Sequence, residues 1–286
     1  LFNVLLHIGV CLLAFLLLRR WNFSALISFA ITLIFAVHPV HVESVAWVSG
    51  SPDLLFGIFF LGSLWFTQNF LDKKSAADAN TNATLDLILA IVFYVFALGS
   101  KEVALLCVPV YLLMFSGNSD QSGNYKTSII KTMPFFIAAI IYFFIRWAIL
   151  GAISRPAEEA VSFETALISA PAVFVFYLKQ IIFPISIAAN YPLRPVLQID
   201  FFGFFLPLMI SIVACFSFYL LARRSFIQKL GLALFIFPLL PIFNISAFIP
   251  EQIVHDRYLY LPLLGFLMMI FPLLQDLFTK YFKENS

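Results

Sequence analysis

Ten long apolar runs separated by short polar turns constrain this chain more than any other feature. They lie at about 1–18, 24–37, 53–71, 85–98, 103–116, 132–150, 166–183, 201–222, 226–243 and 258–278. A helix rises about 1.5 Å per residue, so roughly 20 apolar residues cross a hydrocarbon core about 30 Å thick. Lipid offers the backbone no hydrogen-bond partners, which leaves helices and closed barrels as spanning structures. The short alternating segments of a barrel are absent. The fold class is therefore all-α, a polytopic transmembrane helical bundle, read as a single integral-membrane domain over 1–286. At 62% hydrophobic and 11% charged, the chain has few polar groups beyond those its loops need, so polar clusters at helix ends stand out.

Short cytoplasmic loops are enriched in Lys and Arg, and this sets the orientation. Arg19 and Arg20, Lys73 and Lys74, Lys126 and Lys131, Arg223, Arg224 and Lys229, and Lys280 and Lys283 belong inside by this rule. Counting forward places outer loops at 38–52, 99–102 and 151–165, and counting back from the C-terminus places them at 244–257 and 184–200. The two counts collide at 166–183, which receives both ends outside. Glu158, Glu159 and Glu164 precede this run, Lys179 lies within it and Pro171 is expected to break it. It is read as a re-entrant or surface-lying helix, leaving about nine crossings. The same count puts Leu1 outside. The chain starts within an apolar run, with neither a charged n-region nor a cleavage site, so this is no signal peptide. An upstream helix and outer loop are expected.

The densest polar chemistry is His38-Pro39-Val40-His41-Val42-Glu43, in the segment that ends at Gly50. Ionisable groups at a membrane edge are functional candidates by default. Pro39 suits the first position of a short helix and Gly50 its stop, while Ser51, Pro52 and Asp53 read as cap, first-turn proline and first-turn acid of the next helix. His38 and His41 share a helix face, but two histidines with one offset carboxylate form a weak metal signal, and no metal is expected. The runs 24–37, 85–98 and 103–116 are short for a crossing; if their outer ends are recessed, Glu43 sits in a pocket where it suits a base or an orienting group. Water-facing interfacial polar groups, with Trp47 as a belt anchor, are the competing reading.

Lys101-Glu102 sits at the outer end of a tight helix pair, against the positive-inside trend. Lys101 therefore needs an anionic partner, either Glu102 or a phosphate. In His255-Asp256-Arg257-Tyr258, the planar fork of Arg257 suits a phosphate or carboxylate, with Asp256 and Glu251 as candidate partners and an interhelical Arg–Asp clasp as the alternative. Tyr258 fits the aromatic belt. Arg146, near the end of its run, either snorkels outward or joins the same polar set. Asn190 to Pro195 reads as a lid or cavity wall, and 72–84 as a plain polar linker. Asn244-Ile245-Ser246 has the form of a sequon. Cys11, Cys107 and Cys215 fall inside apolar runs as buried thiols, with no disulfide expected. The net charge of +2 is spread over short loops, so no nucleic-acid partner is implied.

The segments HPVHVESVAWVSG followed by PDLL, then SKEVALLCVPVYLL, then HDRYLYLPLLGF, resemble in order and spacing the transmembrane portion of the TMTC family and its bacterial relatives. That family is similar to GT-C glycosyltransferases. The resemblance implies an O-mannosyltransferase that takes its sugar from a polyprenyl- or dolichyl-phosphate carrier on the outer or lumenal face. Its partners would be the bilayer, that lipid-linked donor, and an acceptor protein or glycan. It would sit in a bacterial cytoplasmic membrane, or in the endoplasmic reticulum of a eukaryote. The implied site has Glu43, His38 and His41 as catalytic or orienting groups. Lys101 and Arg257 would meet the lipid phosphate, supported by Asp53, Glu102, Arg146, Asp256 and Tyr258. Two departures stand out. Ser51 replaces the arginine that the family often carries after the glycine of the first motif. The family's catalytic aspartate belongs to a first outer loop, and its repeats to a C-terminal domain, neither of which lies within these residues.

Two other classes compete. A transporter or lipid flippase also buries charge, but usually shows broken helices in two similar halves, and no such repeat is visible. A non-catalytic membrane scaffold is the third reading.

Overall fold

The computed structural model describes residues 1–75, 82–117, 125–151, 161–185, 187, 188 and 190–284. Glu158, Glu159 and residues 76–81 of the 72–84 linker lie outside them. The described residues form α1 (Phe2–Arg20), α2 (Ala25–Val37), α3 (Val42–Ala46), α4 (Ser51–Ser75), α5 (Ala83–Ser100), α6 (Val108–Gly117), α7 (Tyr125–Leu150), α8 (Phe163–Ile182), α9 (Leu206–Ala222), α10 (Phe226–Leu239) and α11 (Pro262–Glu284), with 3-10 turns between some of them and a π-helical turn (Phe201–Phe205) leading into α9. Among them there is no strand, and the protein is an all-α polytopic helical membrane protein. Seven described helices are long and apolar enough to cross a membrane, or eight if Ala25–Val37 and Pro39–Ala46 make one bent span. Glu102–Gly117 and Pro262–Asp276 are shorter apolar helices.

The chain forms two compact units. One comprises Leu1–Ala36 and Val45–Gly151, the other Val37–Ser44 and Ala152–Ser286. The first is organised on α4, which packs on α1 and α5. Gly62 permits the α4–α5 approach, since a Cβ there would stand 2.5 Å from Cδ1 of Phe93. Polar links stitch the apolar helices, as in other membrane proteins. Ser63 Oγ on α4 donates to the Ala90 carbonyl on α5 (2.6 Å) and accepts from the Tyr111 hydroxyl on α6 (2.7 Å). Tyr111 also stacks on Phe135 of α7, with ring centroids 3.9 Å apart. At the ends expected inside, Arg20 pairs with Asp72 (2.8 Å) and Lys73 with Asp86 (2.6 Å).

The second unit is built on the α10–α11 crossing. A Cβ on Gly265 would stand 2.4 Å from the Phe235 backbone nitrogen, so only glycine permits this approach. The Gln228 amide donates across it to the Met269 carbonyl (3.0 Å). An apolar cavity of about 660 Å³ lies between α8, α9 and α10, with Phe174, Phe218 and Phe235 in its wall. The run after α8 is tied back by Val196 N–H to Ser169 Oγ (2.8 Å) and by Arg194 to the Glu251 carbonyl (2.7 Å).

Three local expectations change. Residues 38–50 do not form one helix. They are a 3-10 turn (Pro39–His41), α3, and a second 3-10 turn (Val48–Gly50), with Trp47 extended between the last two. Four valines give this stretch little helix propensity, and the Trp47 carbonyl accepts instead from the Asn3 amide (2.8 Å). Pro39 does take the first position, as expected. Pro171 does not break its run, because α8 continues through it over 20 residues. A membrane helix tolerates one lost backbone bond when its surroundings compensate. Cys107 is buried, but Cys215 is exposed on α9.

Candidate functional site

In the second unit, α8 presents Tyr177 and Gln180 on one face, three residues apart, and both are buried. The Tyr177 hydroxyl accepts from the His255 backbone N–H (2.9 Å) and donates to the His255 carbonyl (3.1 Å). This two-point clamp holds His255 extended at the mouth of the 3-10 turn Asp256–Leu259. Gln180 uses both amide hydrogens, one to the Tyr191 hydroxyl (2.7 Å) and one to Asp256 Oδ1 (3.1 Å). Tyr191 in turn donates to Asp256 Oδ2 and accepts from Ala188 N–H. Burial pushes the Asp256 carboxyl above its ordinary range, against the hydrogen bonds from Tyr191 and Gln180. Burial and the bond to Asp256 push the Tyr191 hydroxyl up as well.

Glu43 reaches this turn from 214 residues away. Its Oε2 accepts the Arg257 backbone N–H (3.0 Å), capping the turn, while Oε1 lies 3.6 Å from both Arg257 Nε and His255 Nδ1. The side chains of Glu43, His255 and Arg257 are 18%, 14% and 27% exposed, so the trio is recessed but reachable. The Arg257 guanidinium also lies 5.8 Å from the Tyr258 ring centre. The Arg257–Asp256 clasp, the alternative reading, does not form. Neighbouring residues at the turn point apart, Asp256 inward to Tyr191 and Arg257 toward Glu43. Glu251 contributes its carbonyl to Arg194.

His38 caps the turn that carries it. Its Nδ1 accepts from Val40 N–H (3.4 Å) and its Nε2 donates to the Ile181 carbonyl (3.1 Å), a pattern that needs the neutral Nε2–H tautomer. His41 is buried, with its ring 4.7 Å from that of Tyr260. The two imidazole centres are 6.5 Å apart. Both histidines therefore position the segment bearing Glu43. Among the described residues no group of three His, Cys, Asp or Glu is placed to hold a metal ion.

The remaining candidates lie in the first unit. Lys101, extended at the end of α5, pairs with Asp53 in the first turn of α4, with side chains 15% and 5% exposed. Glu102 instead meets Arg146 of α7 at 3.7 Å, where the carboxylate is 54% exposed. Each unit thus holds its own set: His38, His41, Glu43, Asp256, Arg257 and Tyr258 in one, Asp53, Lys101, Glu102 and Arg146 in the other.

His255, Tyr177, Gln180 and Tyr191 were missed as site residues. Gln180 had a readable signal, a polar amide within an apolar run. Tyr177 and Tyr191 had none, because tyrosine is common in membrane belts.

No family model and no solved structure matches the chain. Its curated homologues are protein O-mannosyl-transferases. Human TMTC4 is 35% identical over 114 residues, 35% of this chain and 15% of that protein. Human TMTC1 is 27% identical over 132 residues, covering 43% of this chain and 15% of that protein. Mouse TMTC1 is 31% identical over 132 residues, 43% of this chain and 14% of that protein. The aligned region is thus about a seventh of each relative's length.

Proposed function

We propose that the chain is the membrane portion of a GT-C-type glycosyltransferase. It would move a sugar, mannose in the simplest case, from a polyprenyl or dolichyl phosphate to an acceptor hydroxyl such as a protein Ser or Thr. The observation that carries this reading is the meeting of Glu43 with Arg257 and His255 in an apolar helical unit. Likeness to protein O-mannosyl-transferases supports it. So does the cavity between α8, α9 and α10, whose size is that of a small-molecule site and whose wall suits a polyprenyl chain.

In this reaction the acceptor oxygen attacks the anomeric carbon. The bond from that carbon to the phosphate oxygen breaks, and the lipid phosphate leaves with the electron pair. The acceptor proton passes to a carboxylate base. The developing phosphate charge needs fixed donors in a poorly hydrated place, and the Arg257 fork suits that task. Glu43 Oε2 caps the turn, and the carboxylate as a whole is assigned to orienting a sugar or acceptor hydroxyl. His38, His41, Tyr177, Gln180, Tyr191 and Asp256 hold these groups in register.

The test is transfer from a radiolabelled polyprenyl-phosphate sugar in membranes containing the full-length protein, with donor binding measured separately. Glu43→Gln should lower turnover and largely keep donor binding. If the protein neither binds nor uses any such donor, the reading fails. Outer-face chemistry also requires Ala188→Cys to label from outside and Phe226→Cys from the cytoplasm.

A further inference from the structure

We infer that Lys74 and Lys131 form a binding site for the phosphodiester headgroup of an anionic phospholipid, on the side of the first unit where α4 ends and α7 begins. The site is separate from the transfer reaction and does not depend on it. Two cations drawn to one ring without a counter-ion carry the inference. Lys74 lies one turn beyond Phe70 on the same face of α4, and Lys131 reaches the same ring from α7. The two ammonium nitrogens stand 5.7 and 5.8 Å from the centre of the Phe70 ring. They are close enough for the charge of Lys74 to act on Lys131. The ring itself is held in place, buried and set edge-on against Phe115 of α6 at 6.1 Å between centroids.

Two basic neighbours at this end are matched by carboxylates, Arg20 by Asp72 and Lys73 by Asp86. Among the described residues no such ion pair includes Lys74 or Lys131. An aromatic face attracts each ammonium group weakly, but it does not cancel the repulsion between them. Lys74 is exposed and Lys131 half-buried, so an anion can reach both. A phosphodiester meets the need, because its two unesterified oxygens can each accept from one of these point charges. The neighbouring surface selects a lipid as the source of that phosphate. Beyond Lys131, α7 exposes Met133, Phe136 and Ile137, an apolar face for acyl chains that a free phosphate would leave unused. The lysine count places this end in the cytoplasm, where the leaflet carries anionic lipid.

The probe is phosphatidylglycerol, with phosphatidylcholine as its zwitterionic counterpart. Native mass spectrometry of the purified, delipidated full-length protein reads how much of each is retained. Wild type should hold phosphatidylglycerol in preference to phosphatidylcholine. Lys74→Gln and Lys131→Gln should each weaken phosphatidylglycerol binding about fivefold, and together about thirtyfold. Lys74→Arg combined with Lys131→Arg keeps both charges and should keep the preference. Lys126→Gln, also at this end of α7, should leave binding unchanged. Equal retention of the two lipids by wild type, or a preference that survives the double glutamine variant, overturns the inference. So does a loss in the double arginine variant, or a loss in Lys126→Gln as large as that in Lys131→Gln. Displacement of the lipid by inorganic phosphate would assign the two lysines to a free anion and overturns it as well.

Discussion

Lys101 and Arg257 are both cations beside a carboxylate at the end of an apolar stretch, yet their surroundings assign them different work. Lys101 and Asp53 pair where they are only 15% and 5% exposed. Burying such a pair means that each charge depends on the other, since a buried lone charge is costly. Arg257 shares Glu43 with His255 at 27% exposure, so its charge is not sealed from solvent. A sealed pair joins α4 to the end of α5. A shared, recessed carboxylate leaves chemistry available. Exposure, rather than residue type, separates the two.

The largest effect expected from this contrast is on stability. Lys101→Met strands the buried Asp53 carboxylate and should cost about 3–5 kcal/mol, and Lys101→Met with Asp53→Asn should regain most of it. Unfolding of the detergent-solubilised protein measures both. A stable double variant that no longer takes donor would return Lys101 to the substrate site and erase the contrast.

Arg257→Ala should instead leave stability nearly intact and raise the barrier to transfer by about 2–4 kcal/mol, read from kcat/KM for the donor. Full activity in this variant would make Arg257 an interhelical clasp.

Glu43 sharpens the comparison from the other partner. Glu43→Ala removes the acceptor for the Arg257 N–H and should cost about 1–3 kcal/mol of stability, whereas Glu43→Gln keeps a carbonyl oxygen for that bond and should cost less. Equal losses in thermal unfolding would mean that the charge, not the cap, holds the turn.

Tyr191→Phe should cost about 1 kcal/mol at neutral pH by removing one donor to Asp256. The sign of its pH dependence follows from the raised Asp256 carboxyl. A group raised in the folded state adds stability that is present below its ordinary range, about pH 4, and lost as pH climbs through the raised value. Losing the Tyr191 bond raises the group further, so the variant should approach wild-type stability in acid and fall behind toward neutral pH. Denaturant midpoints at the two ends of that range provide the check.

The smallest effect belongs to Arg146→Ala. Its 3.7 Å pair with a half-exposed Glu102 should be worth no more than about 1 kcal/mol. A larger loss of stability would show that this pair, too, is sealed.

The sequence by itself determined the membrane class, the rough positions of most apolar helices and the scarcity of charge between them. Each of these depends on local quantities: apolar length against bilayer thickness, and the scarcity of charge within it. Pro39 at the start of its turn and Asp53 in the first turn of α4 were legible for the same reason. What only the tertiary structure decided is who meets whom. Lys101 takes Asp53 rather than its neighbour Glu102, and Arg257 takes Glu43 rather than its neighbour Asp256. Adjacent side chains at a turn point in different directions, and partners 48 and 214 positions away are chosen by helix packing. The crossing at Gly231 and Gly265 belongs to the same kind of decision, because contact between two backbones depends on both helices at once. Hydropathy records each residue's preference for lipid or water, while pairing is a property of two residues that the linear order does not bring together.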